Sequence, residues 1–554
     1  MSGDGHAHVI PRELPEAVDI YDTTLRDGSQ QEGLSLTVDD KLRVAEQLDH
    51  LGVQYIEGGW PGANPKDEEF FRRAAAGELH LHTATLVAFG STRKAHTAAA
   101  SDPVLRHLVE ANTSAVCLVA KSAEWHVTET LRTTLTEAIE MVADSVAFLR
   151  SHGRRVFLDA EHFFDGYVHN PGFSLDILRA AQDAGAEVAI LCDTNGGTLP
   201  GDAERIVGAV SDILGDSVRL GCHFHNDVGC AVANSLIAVR QGCTQVQGCI
   251  NGYGERTGNA DLCATVPNLT LKMGVRTIGR DRLARITPVA HHIAELVNIA
   301  PDPHQPYVGA SAFAHKAGLH TSAIARAPQA YEHVAPDAVG NSTRFVVSEM
   351  AGRSTVALKA SQLGLTLDGA GLTEVLDQLK ELEHRGYHFE VADGSLELLM
   401  RAATGWKQAF FRLESFRVIT EQREDGAFVT EATIKVFVGD ERVLATAEGN
   451  GPVNALDGAL RKAIGVKFPE LSHLHLTDYK VRVLDTAKGT GAVTRVLIDS
   501  SDGERTWTTI GVSENIIEAS WEALSDSMVF GLLRGSRDGQ DDAVTDPDAP
   551  DPSL

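Results

Sequence analysis

The chain reads as an α/β protein: an eight-stranded (β/α)8 TIM barrel, then a helical connector, then a C-terminal α+β regulatory domain with an internal repeat. Three observations predict this. Short apolar strands alternate with amphipathic helices through the first half, as a parallel sheet with crossover helices requires. The polar residues with chemical potential fall at strand C-terminal ends, where such a barrel builds its site. From about residue 412, strand-rich segments recur in two related copies.

The strands are read at 18–22, 53–57, 81–88, 114–120, 155–161, 187–193, 218–225 and 245–250, with helical patterns such as 38–51, 130–149 and 202–214 between them. Right-handed crossovers follow from that order. A doubly wound sheet is the alternative, but its dinucleotide fingerprint is missing. Gly252-Tyr253-Gly254-Glu255-Arg256-Thr257 puts threonine at the third glycine position. The catalytic barrel is expected over 1–280. Across 281–411 the strand rhythm gives way to helical patterns, with loops at 301–306 and 336–342, so this stretch is read as a connector or lid.

The C-terminal regulatory domain is expected over 412–535. Its first copy runs strand, strand, then Ala447-Glu448-Gly449-Asn450-Gly451-Pro452-Val453-Asn454 opening a helix at 455–464. The second runs strand, strand, then Thr509-Ile510-Gly511-Val512-Ser513-Glu514-Asn515 opening a helix at 516–528. A glycine turn feeding a helix N-terminus is a natural carboxylate site. Two related copies suggest a pseudo-symmetric domain that packs with itself or another chain, so a homodimer is expected. Residues 536–554, rich in Asp, Gly and Pro, read as a disordered acidic tail.

Composition narrows the function. At 554 residues the chain exceeds one compact core. A net charge of -27 argues against nucleic acid as a partner. Any anion site must therefore be built locally, from a metal, an arginine or backbone N–H groups. All seven cysteines lie in the first half without a CxxC pair, which suggests reduced thiols and a cytoplasmic location. The N-terminus lacks a basic-then-apolar signal pattern, and no apolar run is long enough to cross a membrane.

Within the strand read at 218–225, His223 and His225 alternate and so share a face, while Phe224 points away. Two imidazoles side by side make half of a divalent-metal site. Asp27, in Leu25-Arg26-Asp27-Gly28 just after the first strand, supplies an oxygen ligand; Asn259 adds a carbonyl oxygen or holds a bound water. An O/N/N set with open positions suits a catalytic ion that also binds substrate, and leaves Mg, Mn, Zn and Fe open. Arg26 either stabilises a developing oxyanion or forms a structural ion pair. Glu161 is a proton acceptor, a substrate hydrogen-bond partner or a plain rim carboxylate. Thr194 offers a hydroxyl suited to a substrate carboxylate.

Together, Asp22-Thr23-Thr24-Leu25-Arg26-Asp27-Gly28, His223-Phe224-His225-Asn226-Asp227, the segment 252–259 and His315-Lys316-Ala317-Gly318-Leu319-His320 resemble the alpha-isopropylmalate/homocitrate synthase family. These are acyl-CoA-dependent Claisen-condensing enzymes of the metal-dependent barrel superfamily that includes hydroxymethylglutaryl-CoA lyase. Segments 55–67, with Gly59-Trp60-Pro61, and 160–167 are most similar to the citramalate synthase branch. The resemblance implies that Asp27, His223 and His225 bind the metal with Asn259 in its vicinity. It implies that Arg26 contacts the keto oxygen, that Thr194 holds the oxo-acid carboxylate and that Glu161 lies against the substrate. His320 matches a base, Tyr331 a residue of the hydrolytic step, and the C-terminal repeat an amino-acid-sensing dimer domain. The implied reaction joins acetyl-CoA to pyruvate and hydrolyses the thioester, giving (R)-citramalate and CoA at the entry to isoleucine synthesis. Larger oxo acids (2-oxoisovalerate or 2-oxoglutarate), a lyase running in reverse, and a non-catalytic sensor are the competing readings.

Overall fold

The computed structural model describes residues 13–535, apart from 317–319, 321, 322, 325, 348–350 and 409. The tail expected at 536–554 and the Ala317-Gly318-Leu319 part of the connector motif lie outside the described residues. The chain divides into two compact units: one of residues 1–313 and 332–343, the other of 314–331 and 344–554.

The first unit is a closed parallel barrel in the order β1 to β8. Its strands are β1 (Asp19–Asp22), β2 (Tyr55–Gly59), β3 (Thr85–Ser91), β4 (Ala115–Lys121), β5 (Arg155–Glu161), β6 (Val188–Asp193), β7 (Leu220–Phe224) and β8 (Gln245–Gly248). Strand β1 closes the ring on β8, with Asp22 opposite Gly248. Side-chain alternation separates two apolar layers. Outward residues such as Ile20, Ile56, Leu158 and Phe224 pack under the helices. Inward residues, among them Tyr21, Tyr55 and Phe157, fill the bore. Those three rings stand 5.0–6.0 Å apart, two of the pairs edge-on. Each contact adds about 0.5–1.5 kcal/mol beyond area burial, and together they floor the barrel below its C-terminal mouth.

The helices begin where the sequence supplies caps. Thr37 and Asp40 form a capping box at Val38–Leu51, which Gly52 ends at φ 95°. Asn64 caps Pro65–Ala75, with proline at the first helical position. Strand β3 starts at Thr85, four residues later than its apolar pattern suggests. The backbone N–H groups of His82, Thr83 and Ala84 donate instead to the Asp49 carboxylate, which holds this stretch as a loop. The unit continues beyond residue 280 through the helix Ile286–Leu296, whose Ile286, Val289 and Ile293 join the outer layer.

In the second unit, β9 (Ala314–His315) pairs in parallel with β10 (Arg344–Phe345). The helices Arg353–Gln362, Gly369–His384 and Asp393–Ala402 follow. Then come two antiparallel three-stranded sheets. The first is β11 (Arg412–Gln422), β12 (Phe428–Val438) and β13 (Glu441–Gly449), followed by the helix Pro452–Ile464. The second is β14 (His475–Val483), β15 (Thr494–Ser501) and β16 (Thr506–Ser513), followed by Ile516–Gly535. The expected repeat is present, with a correction: each copy has three strands. Ala447-Glu448-Gly449 closes the third strand and does not form a free turn. Both copies carry an irregularity at the same place, after Leu413 in β11 and after Leu476 in β14. Among the described residues, no helix is long and apolar enough to cross a membrane.

Candidate active site

The turn after β1 is fixed from below. The Asp22 carboxylate accepts from the Thr24 N–H at 2.8 Å and the Thr24 hydroxyl at 3.0 Å. Thr24 Oγ1 accepts from the Ile250 N–H at 2.9 Å, and Thr23 N–H donates to the Gly248 carbonyl. The turn is thereby tied to the end of β8 and presents Arg26 and Asp27 at the barrel mouth.

Arg26 is held by three groups. Its Nε meets Glu57 Oε1 at 2.5 Å, its Nη1 lies 3.5 Å from Asp27 Oδ2, and its guanidinium covers the Phe89 ring at 4.0 Å. The other Glu57 oxygen accepts from the Tyr21 hydroxyl at 2.6 Å. The structural ion pair considered for Arg26 is therefore present, and Arg26 still lines the cavity.

Asp27 Oδ2 lies 3.2 Å from His223 Nε2 and 3.7 Å from His225 Nε2, and all three residues are buried. Burial alone would raise the Asp27 carboxyl. Arg26 first, then the two histidines, outweigh burial and hold it well below the usual carboxylate range. Burial pushes His225 down to about 4, with His223 adding to the effect. In His223 the Asp27 contact overcomes burial and raises the imidazole. Phe224 packs outward, 5.1 Å from Phe164, as alternation requires.

The fit of this trio to an ion rests on its donors. A carboxylate oxygen and two imidazole nitrogens lie within 4.8 Å of one another. Asn259 bridges His225 through the backbone and donates from Nδ2 to the Tyr253 carbonyl at 3.0 Å. Its Oδ1 is buried without a hydrogen-bond partner. A buried amide oxygen left over beside an O/N/N set is what a divalent cation satisfies, so the cluster is a possible metal-binding site.

A cavity of about 570 Å³ opens above this cluster, and Arg26, Asp27, Glu161, Thr194, His223 and His225 all line it. Glu161 pairs with Lys121, its register partner across β4 and β5. Thr194 Oγ1 accepts from the His162 N–H at 2.9 Å. Arg256 Nη2 reaches the Thr194 carbonyl at 3.0 Å and His225 Nδ1 at 3.2 Å, while its Nε meets Asp227 at 2.8 Å. His320 and Tyr331 belong to the second unit, where their rings stack at 4.0 Å.

Sequence reasoning assigned no role to Glu57, Lys121, Asp159, Gln247 and Arg256. Glu57, Asp159 and Gln247 face the bore: each sits two residues after an inward Tyr55, Phe157 or Gln245. A polar residue at an inward strand position was the available signal.

A parallel (β/α)8 barrel with a possible metal site at its strand ends, joined to a repeated α+β domain, defines a class of barrel enzymes. Residues 17–289 match the HMGL-like family, 307–387 the homocitrate synthase post-HMGL domain-like family, and 390–531 the LeuA allosteric (dimerisation) domain. The (R)-citramalate synthase of Streptomyces coelicolor is 52% identical over 525 residues, covering 94% of this chain and 98% of that protein. The (R)-citramalate synthase of a Synechocystis species is 51% identical, covering 93% and 96%. A probable 2-isopropylmalate synthase of Methanopyrus kandleri is 32% identical, covering 95% and 100%. The chain belongs to the alpha-isopropylmalate/homocitrate synthase family, within its (R)-citramalate synthase branch.

Proposed function

We infer that this chain condenses acetyl-CoA with pyruvate and hydrolyses the resulting thioester, giving (R)-citramalate and CoA. The observation that carries this reading is its likeness, at 47–52% identity over nearly the whole chain, to (R)-citramalate synthases of three organisms. The cluster of Asp27, His223 and His225 supports it independently.

Asp27, His223 and His225 would hold a divalent cation (Mg, Mn or Zn), with Asn259 beside them. When bound, the ion supplies Lewis-acid polarisation of the oxo-acid carbonyl. Arg26, locked between Glu57 and Phe89, faces the keto oxygen and stabilises the negative charge that develops there. Thr194 takes the oxo-acid carboxylate. A base, His320 or Glu161, removes a proton from the acetyl methyl group. The carbanion carbon bonds to the keto carbon, and the keto oxygen takes up a proton to become the tertiary hydroxyl. Water then attacks the thioester carbonyl, with Tyr331 in the hydrolytic step, and the CoA thiol leaves.

The LeuA match supports a homodimer and an amino-acid effector at the C-terminal domain, with isoleucine the expected inhibitor from pathway logic. Seven free cysteines, six of them buried, support a cytoplasmic enzyme. The test is a panel of 2-oxo acids with acetyl-CoA, read by released free thiol. Pyruvate should give the highest kcat/KM. A preference for 2-oxoisovalerate or 2-oxoglutarate would overturn the assignment.

A further inference from the structure

We propose that Gln247 and Asp159 are positioning residues that fix the tautomer of His223, so that its Nε2 lone pair faces the cation site; this rests on reading Asp27, His223 and His225 as metal ligands. The three side chains come from different strands. Gln247 on β8 sits in register with His223 on β7, and Asp159 reaches in from β5. All three are buried in the bore.

A primary amide has nearly the same shape either way round, so its orientation is set by what it faces. Asp159 Oδ1 lies 2.9 Å from Gln247 Nε2, and as a carboxylate oxygen it can only accept there. Turned over, the amide would set two oxygens against each other in a dry interior. The amide oxygen is therefore left facing His223 Nδ1, at 2.8 Å. An amide oxygen has no proton to give, so the imidazole proton must sit on Nδ1. In the neutral ring Nε2 then keeps its lone pair, and Nε2 is the atom that faces Asp27 Oδ2, 3.2 Å away.

His225 has no such device. Its Nδ1 faces a donor, Arg256 Nη2, on a side chain 43% exposed to solvent. To ligate through a neutral Nε2, His225 must carry its proton on Nδ1 and release that contact. Arg256 then retains Asp227 and the Thr194 carbonyl as acceptors. The two histidines thus differ: His223 is preset for ligation and His225 adjusts. Nothing in the His-x-His spacing separates them.

The test measures cation binding to the full-length apo-protein, not turnover. Mn²⁺ binding is read from the loss of the free-ion paramagnetic signal, with Zn²⁺ against a chromophoric chelator as the second probe. Gln247→Leu should weaken binding roughly 10- to 100-fold, the usual cost of losing an outer-shell partner. Asp159→Asn, which lets the amide turn over, should weaken it less. Adding Gln247→Glu to Asp159→Asn should restore most of the affinity. The carboxylate introduced on β8 would then accept both from His223 Nδ1–H and from the amide introduced on β5. A packing role predicts no such rescue, and the Asp159 pair of variants carries the test should Gln247→Leu fail to fold. Unchanged affinity in Gln247→Leu, or no rescue by the exchanged pair, would overturn the proposal. His223→Ala binding as tightly as the parent chain is a different outcome: it removes the metal-ligand reading and the relay with it.

Discussion

Arg26→Met separates what Arg26 does for the fold from what it does for the reaction. The substitution takes away the cation 2.5 Å from a fully buried Glu57. Stripping the partner from a buried carboxylate costs about 3–5 kcal/mol when the charge has to remain. Glu57 has an escape. Burial already pushes its carboxyl upward, with Arg26 pulling it down. Once Arg26 is gone burial acts unopposed and holds the carboxyl well above its value in the unfolded chain. Between the two values the folded state binds one more proton than the unfolded state. A raised folded pKa gives stability that is complete at low pH and is lost as pH rises, here by about 1.4 kcal/mol per unit. From pH 6 to pH 8 the variant should therefore lose more stability than the parent chain, by at most about 2.7 kcal/mol, the limit for one proton over two pH units. Urea unfolding at the two pH values measures the difference. Adding Glu57→Gln should abolish this extra slope and recover most of the stability. Condensing activity should stay down by at least about 10²-fold, because the proposed oxyanion partner is still missing. A deficit equal at both pH values and untouched by Glu57→Gln would refute the reasoning.

Three further substitutions probe other parts of the site and its scaffold. Gly254 sits at φ 149°, and a Cβ there would lie 2.2 Å from Asn259 Nδ2. Gly254→Ala should therefore displace Asn259 and weaken cation binding about tenfold or more in equilibrium dialysis. Glu161→Gln breaks the pair with Lys121 and should lower kcat by about 10²–10⁴-fold, with bound metal unchanged by elemental analysis. The buried Asp102 carboxylate accepts from the N–H groups of Val104, Leu105 and Lys94. Asp102→Ala should cost about 2–3 kcal/mol by denaturant unfolding, the loss of a helix cap together with an orphaned donor.

The barrel was legible because β-strand period and helical period alternate cleanly in the first half, and because polar residues interrupt apolar strands at their C-terminal ends. Asp27, His223 and His225 could be paired from sequence because strand alternation fixes the face of each histidine. Lys121 could not be paired with Glu161 in that way. Their contact depends on the register of β4 against β5, which sets Lys121 opposite Glu161 and has no local signature. The sequence pattern starts β3 early, at Leu81, because Leu81-His82 alternates apolar with polar as a strand does. Three N–H groups there are claimed by Asp49, a long-range hydrogen-bonding choice that periodicity does not report. The third strand of each C-terminal copy was absorbed into a turn because Gly449 and Gly511 resemble loop punctuation. Gly449 instead closes β13 against the helix that follows, and Gly511 lies inside β16.

The barrel mouth divides its duties by side. Asp27, His223, His225 and Asn259 come from β1, β7 and the segment after β8, which are neighbours in the closed ring. Trp60, Phe89, Val119, Lys121 and Glu161 come from β2 to β5. Apart from Asn259, the two groups line one cavity but share little backbone. Mutational drift in the strand ends from β2 to β5 can therefore reshape the chamber for a longer or shorter acid while the proposed metal corner stays intact. A barrel arranged this way can change its diet before it changes its chemistry, and a laboratory selection for new acids should find its first footholds on that side.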